Sequence, residues 1–399
     1  MSFVSYQPDN IVFIPNKPEP QKDVNLTDCK VVENGTVVID DVYKKMGVYD
    51  TNGYLCPESI LLRGEQNMPP KVHANISKAP LIDEEVLFLG SGYLLIHFGH
   101  FLVEGISRTW PLLYSKYKNI KVVIAYETKQ PVPVFVRKFL NALGVRDENI
   151  IAVYKTTRFK RVIIPRQAIN GHLYILPTMN KVFNKLALNL SDKKYKTYDK
   201  IYLSRSAMND GRTFGEKQVE KIFEKNGYKI IYPETLPLEH QITVAANCKE
   251  MAGTAGSALH LALFMKPGGR VVQIKRNSNN SDNLVTQKLI CDLRKLDLVW
   301  IYGSIETMTT GHFTMEPQII GVTPYLIKFF DDNHFKYSKN DIEFDKEEFE
   351  RYERQLKKYK MKKLHKKIID IPVRLISVFG ITKHGRKVIR EYLRKKLHV

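Results

Sequence analysis

The 399-residue sequence has little cysteine, and its four cysteines, Cys29, Cys56, Cys248 and Cys291, lie far apart. They form no CxxC pair and no metal-ligand spacing, which argues against a zinc module and against a disulfide framework. No run of about 18 apolar residues occurs, so we expect no spanning helix. The first ten residues lack the basic start and apolar core of a secretory signal. We therefore expect a protein of the reducing cytoplasm.

Acidic residues are also scarce: 42 Asp and Glu stand against 62 Lys and Arg, giving a formal net charge of +20. The excess is concentrated at one end, because Arg351–Val399 holds seventeen Lys and Arg against three acids. The apolar fraction of 43% is that of a globular protein, and the length suits two domains. We expect an N-terminal acceptor-side domain (1–190), a Rossmann-like domain (191–330) and a basic helical C-terminal segment (331–399).

Strand and helix patterns alternate along most of the chain, which is typical of βαβ units and a parallel sheet. Before them, Ser2–Met68 is predicted to be irregular, with β-like runs at Ile11–Ile14 and Val37–Asp40. Tyr93–Tyr114 has helical periodicity. The other strands are predicted at Val86–Gly90, Lys121–Tyr126, Asn149–Val153, Arg161–Pro165, Lys200–Ser204, Tyr228–Tyr232, Met251–Gly253, Arg270–Ile274 and Val299–Tyr302. The other helices are predicted at Pro133–Leu143, Asn184–Tyr198, Phe214–Asn226, Pro237–Cys248 and Val285–Leu296.

The C-terminal segment combines a charged helix with an amphipathic one. Glu347–Lys367 is predicted to be a long helix that is solvated on most faces. His384–Leu397 is basic and has one apolar stripe, a pattern typical of a helix lying on a membrane surface. A helix packed on the body with a solvated basic face fits the same pattern, and both interpretations stay open.

A turn of small residues between a strand and an apolar helix indicates a phosphate site. Gly256 and Ser257 carry little bulk, so a ligand can approach the backbone, and the helix that follows presents unpaired N–H groups. Ser257 is expected to cap this helix, and His260 lies on its first turn. The alternative is a tight connection that needs small residues only for packing.

Charged residues follow the neighbouring strands. Arg205 and Arg212 follow the strand Lys200–Ser204, and guanidinium groups bind diphosphates with paired hydrogen bonds. Glu234, Glu239 and Gln241 follow the next strand, where acidic side chains can accept from a ribose. Each arginine could instead be a surface ion-pair partner, and Glu239 could serve only as a helix-terminal acid.

The N-terminal half offers a candidate general base. His100 and Glu104 share one helix face, and a carboxylate one turn away fixes the tautomer of a histidine and raises its basicity. Arg108, one turn further, is expected to pair with Glu104. The alternative is a core histidine with a satisfied hydrogen bond; the flanking Gly99 and Gly105 favour close approach of another group.

Taken in order, these motifs resemble glycosyltransferase family 61, which includes bacterial capsular-polysaccharide proteins and eukaryotic xylosyl- and N-acetylglucosaminyltransferases. The resemblance covers about Leu87 to Ile274. One departure is Ala255, where the family usually has histidine. The motifs are His100-Phe-Leu-Val-Glu104, Leu203-Ser-Arg205 with Arg212, Gly227-Tyr-Lys-Ile-Ile-Tyr-Pro-Glu234, Leu238-Glu-His-Gln-Ile242, Ala252-Gly-Thr-Ala-Gly-Ser-Ala-Leu259 and Leu263-Phe-Met-Lys-Pro-Gly268.

The resemblance implies a GT-B-like α/β fold, with two Rossmann-like domains and a cleft between them. It also implies an inverting glycosyltransferase that needs no metal and no cofactor beyond a nucleotide-sugar donor, most simply a UDP-sugar. The acceptor would be a surface or capsular polysaccharide or its lipid-linked precursor, reached from the anionic inner face of the cell membrane through the basic tail. No nucleic-acid partner is expected.

In this hypothesis His100 is the base and Glu104 orients it. The expected diphosphate ligands are Arg205, Arg212, Gly256, Ser257 and His260. The nucleoside or donor-sugar contacts are Glu234, Glu239 and Gln241. Two other classes stay open: a nucleic-acid-binding protein that uses the positive charge, and a catalytically inactive glycan-binding relative.

Overall fold

The computed structural model describes residues 1–8, 22–39, 46–64, 73–208, 212–276, 282–305 and 316–377. The runs predicted at Ile11–Ile14 and His384–Leu397 lie outside the described residues. Within them, the chain folds into two main sheets with helices packed against both. It is therefore an α/β protein, as predicted.

The strands of the described residues are short to medium in length, and the longest follows the irregular N-terminal segment. In chain order they are β1 Phe3–Tyr6, β2 Cys29–Glu33, β3 Thr36–Val38, β4 Gly47–Tyr49, β5 Leu81–Ser91, β6 Lys121–Ala125, β7 Ile150–Val153, β8 Thr157–Pro165, β9 Ile169–Asn170, β10 Tyr174–Ile175, β11 Lys200–Leu203, β12 Thr213–Phe214, β13 Lys229–Ile231, β14 Glu250–Thr254, β15 Arg270–Lys275, β16 Asp297–Tyr302 and β17 Gln318–Ile319.

The α-helices mostly fill the intervals between strands, as the alternating pattern predicts. In the described residues they are α1 Phe98–Val103, α2 Val134–Ala142, α3 Thr178–Leu190, α4 Glu216–Lys225, α5 Leu238–Asn247, α6 Asp282–Arg294, α7 Pro324–Asp332, α8 Lys339–Ile342 and α9 Lys346–Ser377. None of the helices in this part of the chain is long and apolar enough to cross a membrane.

The C-terminal sheet is parallel throughout its described strands, in the order β1-β16-β15-β14-β11-β13. Its inner strands are buried on both faces and read as nearly continuous apolar runs, as parallel strands usually do. β14 lies between β11 and β15, so the turns after these three strands meet at one edge of the sheet.

The N-terminal sheet has a parallel half and an antiparallel half. β8, β5, β6 and β7 run parallel, whereas β2, β3 and β4 add antiparallel pairs beside β8. β1 does not belong to this sheet, because Phe3–Tyr6 pairs with β16 of the C-terminal one. The domain bounds 1–190, 191–330 and 331–399 stay a prediction. The pairing of β1 means that one strand from the first range belongs to the sheet of the second.

The two sheets share a continuous apolar core. Phe264, at the end of the helix after the small-residue turn, stacks on Phe139 of α2 with ring centroids 6.2 Å apart. Phe183 of α3 meets the same ring edge-on at 5.7 Å. Aromatic contacts of this kind add to area burial. The halves are therefore joined by packed side chains along this contact.

Two predicted helices differ from the observed structure. Tyr93–Tyr114 is broken into α1 and several 3₁₀ turns, because glycine weakens a helix interior and Pro111 cannot continue one. The helix predicted at Asn184–Tyr198 begins earlier and ends at Leu190, since the apolar face of α3 decides its position rather than the lysines that follow.

The segment after the small-residue turn is a 3₁₀ helix, Ser257–Phe264, rather than an α-helix. Gly256 occupies its cap position and no side chain caps it, so the expected capping role of Ser257 is wrong. The segment is buried nearly all round, and tertiary packing sets its conformation.

The first part of α9 packs on the body, within the stretch Glu347–Lys367 that was predicted to be a helix solvated on most faces. The two interpretations of His384–Leu397 stay open. Tyr352 is fully buried and its ring meets that of Phe214 with centroids 5.9 Å apart. From 357 to 365 the helix is mostly exposed and carries five lysines. The long charged helix is therefore anchored at one end and solvated beyond it.

Candidate active site

Three turns meet at the carboxyl edge of the C-terminal sheet. Arg205 follows β11, Gly256 follows β14 and Arg276 follows β15, and these strands are adjacent. Ligands of parallel α/β sheets bind outside such strand ends. The strand order therefore brings two guanidinium groups to either side of the small-residue turn.

Gly256 leaves open space between these guanidinium groups. A Cβ atom at this position would lie 3.6 Å from Nη1 of Arg205 and 3.9 Å from Nη2 of Arg276. The φ of Gly256 is 162°, an extended conformation that other residues also adopt. Glycine is therefore not required here for backbone strain, and the space that it leaves suits the approach of an anion.

The turn also touches the N-terminal half. A Cβ atom on Gly99 of α1 would lie 2.6 Å from the Cβ of Ser257, closer than real carbon atoms come. This is the close approach that the glycine beside His100 suggested from the sequence. The candidate base and the candidate phosphate turn, which are more than 150 residues apart in sequence, therefore lie side by side.

His100 and Glu104 form the predicted pair. Nδ1 of His100 donates to Oε2 of Glu104 at 2.7 Å, and the carboxylate is fully buried. Glu104 is the cap of α1 rather than an interior residue, yet the spacing of four still brings the groups together. With the proton on Nδ1, the other ring nitrogen, Nε2, is the basic one.

Arg63 contacts both members of this pair, and nothing in the sequence indicated it. Its Nε lies 3.1 Å from Oε1 of Glu104, and its Nη1 lies 3.1 Å from Nδ1 of His100. Nε also donates to Nε2 of His172 at 2.9 Å. Arg63 comes from an irregular segment 37 residues before His100, with no motif around it, so only the tertiary structure reveals it.

A second histidine, His97, and Arg212 lie near His100. The rings of His97 and His100 have centroids 5.0 Å apart. Burial lowers the pKa of His97, and the charges of His100 and Arg212 act in the same direction. Arg212 is therefore close enough to act on His97, and so lies near the cluster formed by His97, His100 and Glu104.

His260 lies beneath the turn as a buried, neutral ring. Its Nδ1 is 3.4 Å from Oε1 of Gln287, and the side chain is 7% exposed. Burial lowers the pKa of His260 to about 4, with Gln287 opposing. Glu104, Arg63 and His100 also act on it, so it belongs to the same cluster. It brings no positive charge to a diphosphate at neutral pH.

Two buried carboxylates lie behind Arg205, and the sequence indicated neither of them. Glu216 and Glu220 stand on the inner face of α4, 1% and 6% exposed. Oε2 of Glu216 accepts from the backbone N–H of Arg205 at 3.2 Å. Glu220 accepts from the hydroxyl groups of Ser204 and Tyr232. Amphipathic periodicity assigns glutamate to the solvent face, so this pattern hides them.

The three residues predicted to contact nucleoside or sugar lie in the turn and helix that follow β13, the strand beside β11. Glu234 is exposed in the 3₁₀ turn Pro233–Thr235, beyond the edge strand β13. Glu239 pairs with Nζ of Lys138 at 2.6 Å and so ties α5 to α2. Nε2 of Gln241 donates to the carbonyl oxygens of Pro233 and Leu236 and closes that loop. Their binding roles stay predictions.

The expected pair of Arg108 with Glu104 is wrong. Arg108 is fully buried and donates to the carbonyl oxygens of Glu58, Ser59, Ile60 and Pro165, so it binds the irregular N-terminal segment to β8. Glu104 pairs with Arg63 instead. Among the described residues, no group of three or more His, Cys, Asp and Glu could hold a metal ion.

A sequence model of the family described as Glycosyltransferase 61 matches residues 98–272. The matched stretch begins at α1 and ends within β15, so it contains His100, Glu104, Arg205, Arg212 and the Gly256 turn. No curated protein matches the chain.

Proposed function

Because the chain belongs to glycosyltransferase family 61 and is a glycosyltransferase, we propose that it is an inverting, metal-independent enzyme acting on a nucleotide-sugar, with UDP as the carrier. The convergence of the His100–Glu104 pair with the Gly256 turn supports this most strongly. One side offers a base and the other a cradle for a leaving diphosphate, and a single displacement needs both at once.

His100 acts as the base. The hydroxyl oxygen of the acceptor attacks the anomeric carbon, and the bond from that carbon to the phosphate oxygen breaks. The diphosphate leaves with the bonding electrons, and the hydroxyl proton passes to Nε2 of His100. Glu104 holds the other nitrogen and stabilises the imidazolium that forms, while Arg63 fixes the carboxylate.

The diphosphate is stabilised by fixed positive charge. Arg205 and Arg276 flank the open side of Gly256, and Arg212 lies near the same cluster. Guanidinium groups never deprotonate at neutral pH and offer paired donors to phosphate oxygens, so they can take the part that a divalent cation has in other transferases. A GT-B-like opening between the two halves would admit donor and acceptor from opposite sides.

The acceptor is a surface or capsular glycan or its lipid-linked precursor, met at an anionic membrane face. The solvated part of α9 supports this, because it carries Lys357, Lys358 and Lys360 together with Met361 and Leu364, which are 63% and 58% exposed. Lysines near an anionic surface contribute about 1 kcal/mol each.

Nucleotide binding tests the donor side. Thermal shifts and calorimetry with UDP, GDP, CMP and dTDP should give one selective ligand, and a ligand at 100 times its Kd stabilises by about 2.7 kcal/mol. Arg205→Ala should weaken that ligand about tenfold or more, since charge-assisted bonds are lost. Arg146→Ala, an exposed arginine paired with Glu148, is the matched control. No selective nucleotide, with strong RNA retardation instead, would favour a nucleic-acid-binding protein.

Transfer assays test the base. His100→Ala should abolish transfer and leave the Kd of the nucleotide nearly unchanged, because the ring acts on the acceptor hydroxyl. Glu104→Gln should lower kcat about a hundredfold or more at unchanged folding, as loss of an orienting carboxylate does. Transfer that survives His100→Ala would remove this histidine as the base.

Flotation on vesicles containing about 30% anionic lipid tests the tail. Replacing Lys357, Lys358 and Lys360 by Gln should lower binding roughly a hundredfold, from about 1 kcal/mol for each lysine. The matched control replaces Lys193, Lys217 and Lys221, three exposed lysines of the body. Equal losses in the two triple variants would contradict a membrane role of α9.

A further inference from the structure

The carboxylate of Glu216 joins two turns that the proposed function assigns to the donor. Its Oε1 accepts from the hydroxyl groups of Tyr202 and Thr254, each at 3.2 Å. Its Oε2 accepts from the backbone N–H of Arg205, also at 3.2 Å. Tyr202 and Arg205 lie on and after β11, whereas Thr254 ends β14 two residues before Gly256. One buried side chain therefore spans the gap between the arginine and the turn.

Neighbouring groups restrict where this carboxylate can lie. Gly215, which precedes it, is left-handed, with φ of 78°, and so starts α4 at a fixed angle. The backbone N–H of Gly215 donates to Oε2 of Glu348 on α9 at 3.1 Å. Glu220, one turn along α4, holds Ser204 and Tyr232 from the same side. A buried acceptor with three donors in place is costly to disturb, because each donor would be left without its bond.

We propose that Glu216 is a positioning residue: it sets the separation between Arg205 and the Gly256 turn and thereby the fit of the donor's diphosphate. This inference rests on the proposed function. Glu216 does not touch the ligand, because it lies behind the turn with 1% of its surface exposed. Its effect on binding passes through the backbone of Arg205.

The protonation of Glu216 makes this role measurable. Burial raises the pKa of Glu216 to about 7; Glu220 acts in the same direction and Arg205 against it. The titratable and charged groups that face it are Tyr202, Arg205 and Glu220. A second negative charge behind Arg205 disfavours an anionic ligand, so nucleotide affinity should fall as the pH rises from 6 to 8.

The experiment measures Kd of the nucleoside diphosphate selected above, and of inorganic pyrophosphate, by calorimetry between pH 6 and pH 8. Glu216→Ala should weaken both ligands about tenfold, since the turn loses its bonds. Glu216→Gln can accept from Arg205 with its amide oxygen and donate to Thr254, so it should bind within about threefold of the wild type at pH 6. It should also lose the part of the pH dependence that is not due to the ligand's own titration.

A double-mutant cycle separates positioning from general destabilisation. In an Arg205→Ala background, Glu216→Ala should cause little further loss, because the arginine that it positions is gone. Glu224→Ala, an exposed glutamate of the same helix, is the control and should bind as the wild type does. Where Glu216→Ala does not fold, Thr254→Val removes one of the three bonds and should weaken binding severalfold.

The inference is overturned if folded Glu216→Ala, or Thr254→Val in its place, binds both ligands with wild-type Kd. It is also overturned if the loss of affinity caused by Glu216→Ala adds fully to the loss caused by Arg205→Ala. A wild-type protein that binds no nucleoside diphosphate overturns the proposed function as well. Nucleotide binding by the wild-type protein therefore distinguishes a failure of this inference from a failure of the proposed function.

Discussion

At the scale of single residues, Gly256 leaves open the space that a Cβ atom would fill, and the proposed function places the diphosphate there. Alanine fits here without strain, because the φ is extended and the added carbon would lie at ordinary contact distances, 3.6 Å from Arg205 and 3.9 Å from both Arg276 and the carbonyl oxygen of Thr254. The methyl group would nevertheless occupy the side from which the proposed diphosphate would approach. The cost of the substitution should therefore appear in binding and not in stability.

We expect Gly256→Ala to keep the Tm of the wild type and to raise the nucleotide Kd about tenfold, through loss of close phosphate contacts. Calorimetry and a melting curve measure the two effects. Gly253→Ala is the control with the opposite result: its Cβ would lie 2.7 Å from the carbonyl oxygen of Leu203, so its Tm should fall. Wild-type affinity in Gly256→Ala would argue against a diphosphate at this turn.

Glu216 also gives stability a pH dependence. Burial raises its pKa from 4.5 to about 7 in the folded protein. An acid with a raised pKa contributes stability below pH 4.5, and this contribution is lost as the pH rises through about 7. Over that range the loss is on the order of 3 kcal/mol.

Glu216→Gln cannot ionise, so its free energy of unfolding should increase relative to that of the wild type between pH 5 and pH 8. Urea unfolding at several pH values measures this difference. Glu224→Gln, an exposed neighbour on α4, should show no such trend. A constant difference between wild type and Glu216→Gln would mean that Glu216 keeps an ordinary pKa.

The site residues that the sequence revealed differ from those that it did not reveal in how far along the chain their partners lie. His100 and Glu104 were predictable because a spacing of four encodes their contact. Arg63 was not, because its partners lie 37 and 41 residues away and the segment between them is irregular. Arg108 was assigned to Glu104 by the same spacing rule, but full burial gave it carbonyl partners instead.

At the scale of elements, α9 supports β12, the short strand that directly follows Arg212. Tyr352 packs on Phe214, and Glu348 accepts from the N–H of Gly215. These contacts hold the residues between Arg212 and Glu216. The first part of α9 is therefore packed on the body, and only the part beyond it is solvated.

Tyr352→Ala should raise the nucleotide Kd severalfold without touching the ligand, because β12 loses the side chain that packs on it. Tyr359→Ala is the matched control: it is the same substitution two turns further along α9, where the helix is mostly solvated. Calorimetry on both variants decides. If neither variant changes the Kd, the anchored part of α9 has no influence on the donor site.

Elements were predictable where one pattern was continuous. Strands such as β6 and β16 carry nearly continuous apolar runs, and their approximate positions followed from the sequence. β1, β2 and β4 were not predicted. The Ser257–Phe264 segment is almost wholly apolar, so periodicity could not distinguish a 3₁₀ from an α-helix there. Strand order, which places β14 between the two strands that Arg205 and Arg276 follow, depends on crossovers that no local pattern records.

At the scale of the whole molecule, the shared core should make the two halves unfold together. Phe264 is 1% exposed and contacts aromatic rings of α2 and α3 across the contact between the sheets. A cut through this core would expose apolar surface on both sides. Independent unfolding of the halves is therefore disfavoured.

Phe264→Ala should lower the free energy of unfolding by about 3–5 kcal/mol, the usual cost of such a cavity. The chain has two tryptophans, Trp110 in a turn before β6 and Trp300 on β16, so Trp110→Phe and Trp300→Phe make each half separately visible by fluorescence. Coincident urea transitions in the two variants would show one cooperative unit. Separate midpoints would mean that the halves are independent domains.

The pairing of β1 with β16 has a consequence for synthesis on the ribosome. Phe3–Tyr6 is translated nearly 300 residues before its partner Leu298–Ile301. The parallel sheet therefore cannot close this edge until β16 has left the exit tunnel, and β1 must stay available until then. A bulky fusion partner ahead of Phe3 would consequently hinder the last step of assembly rather than the first.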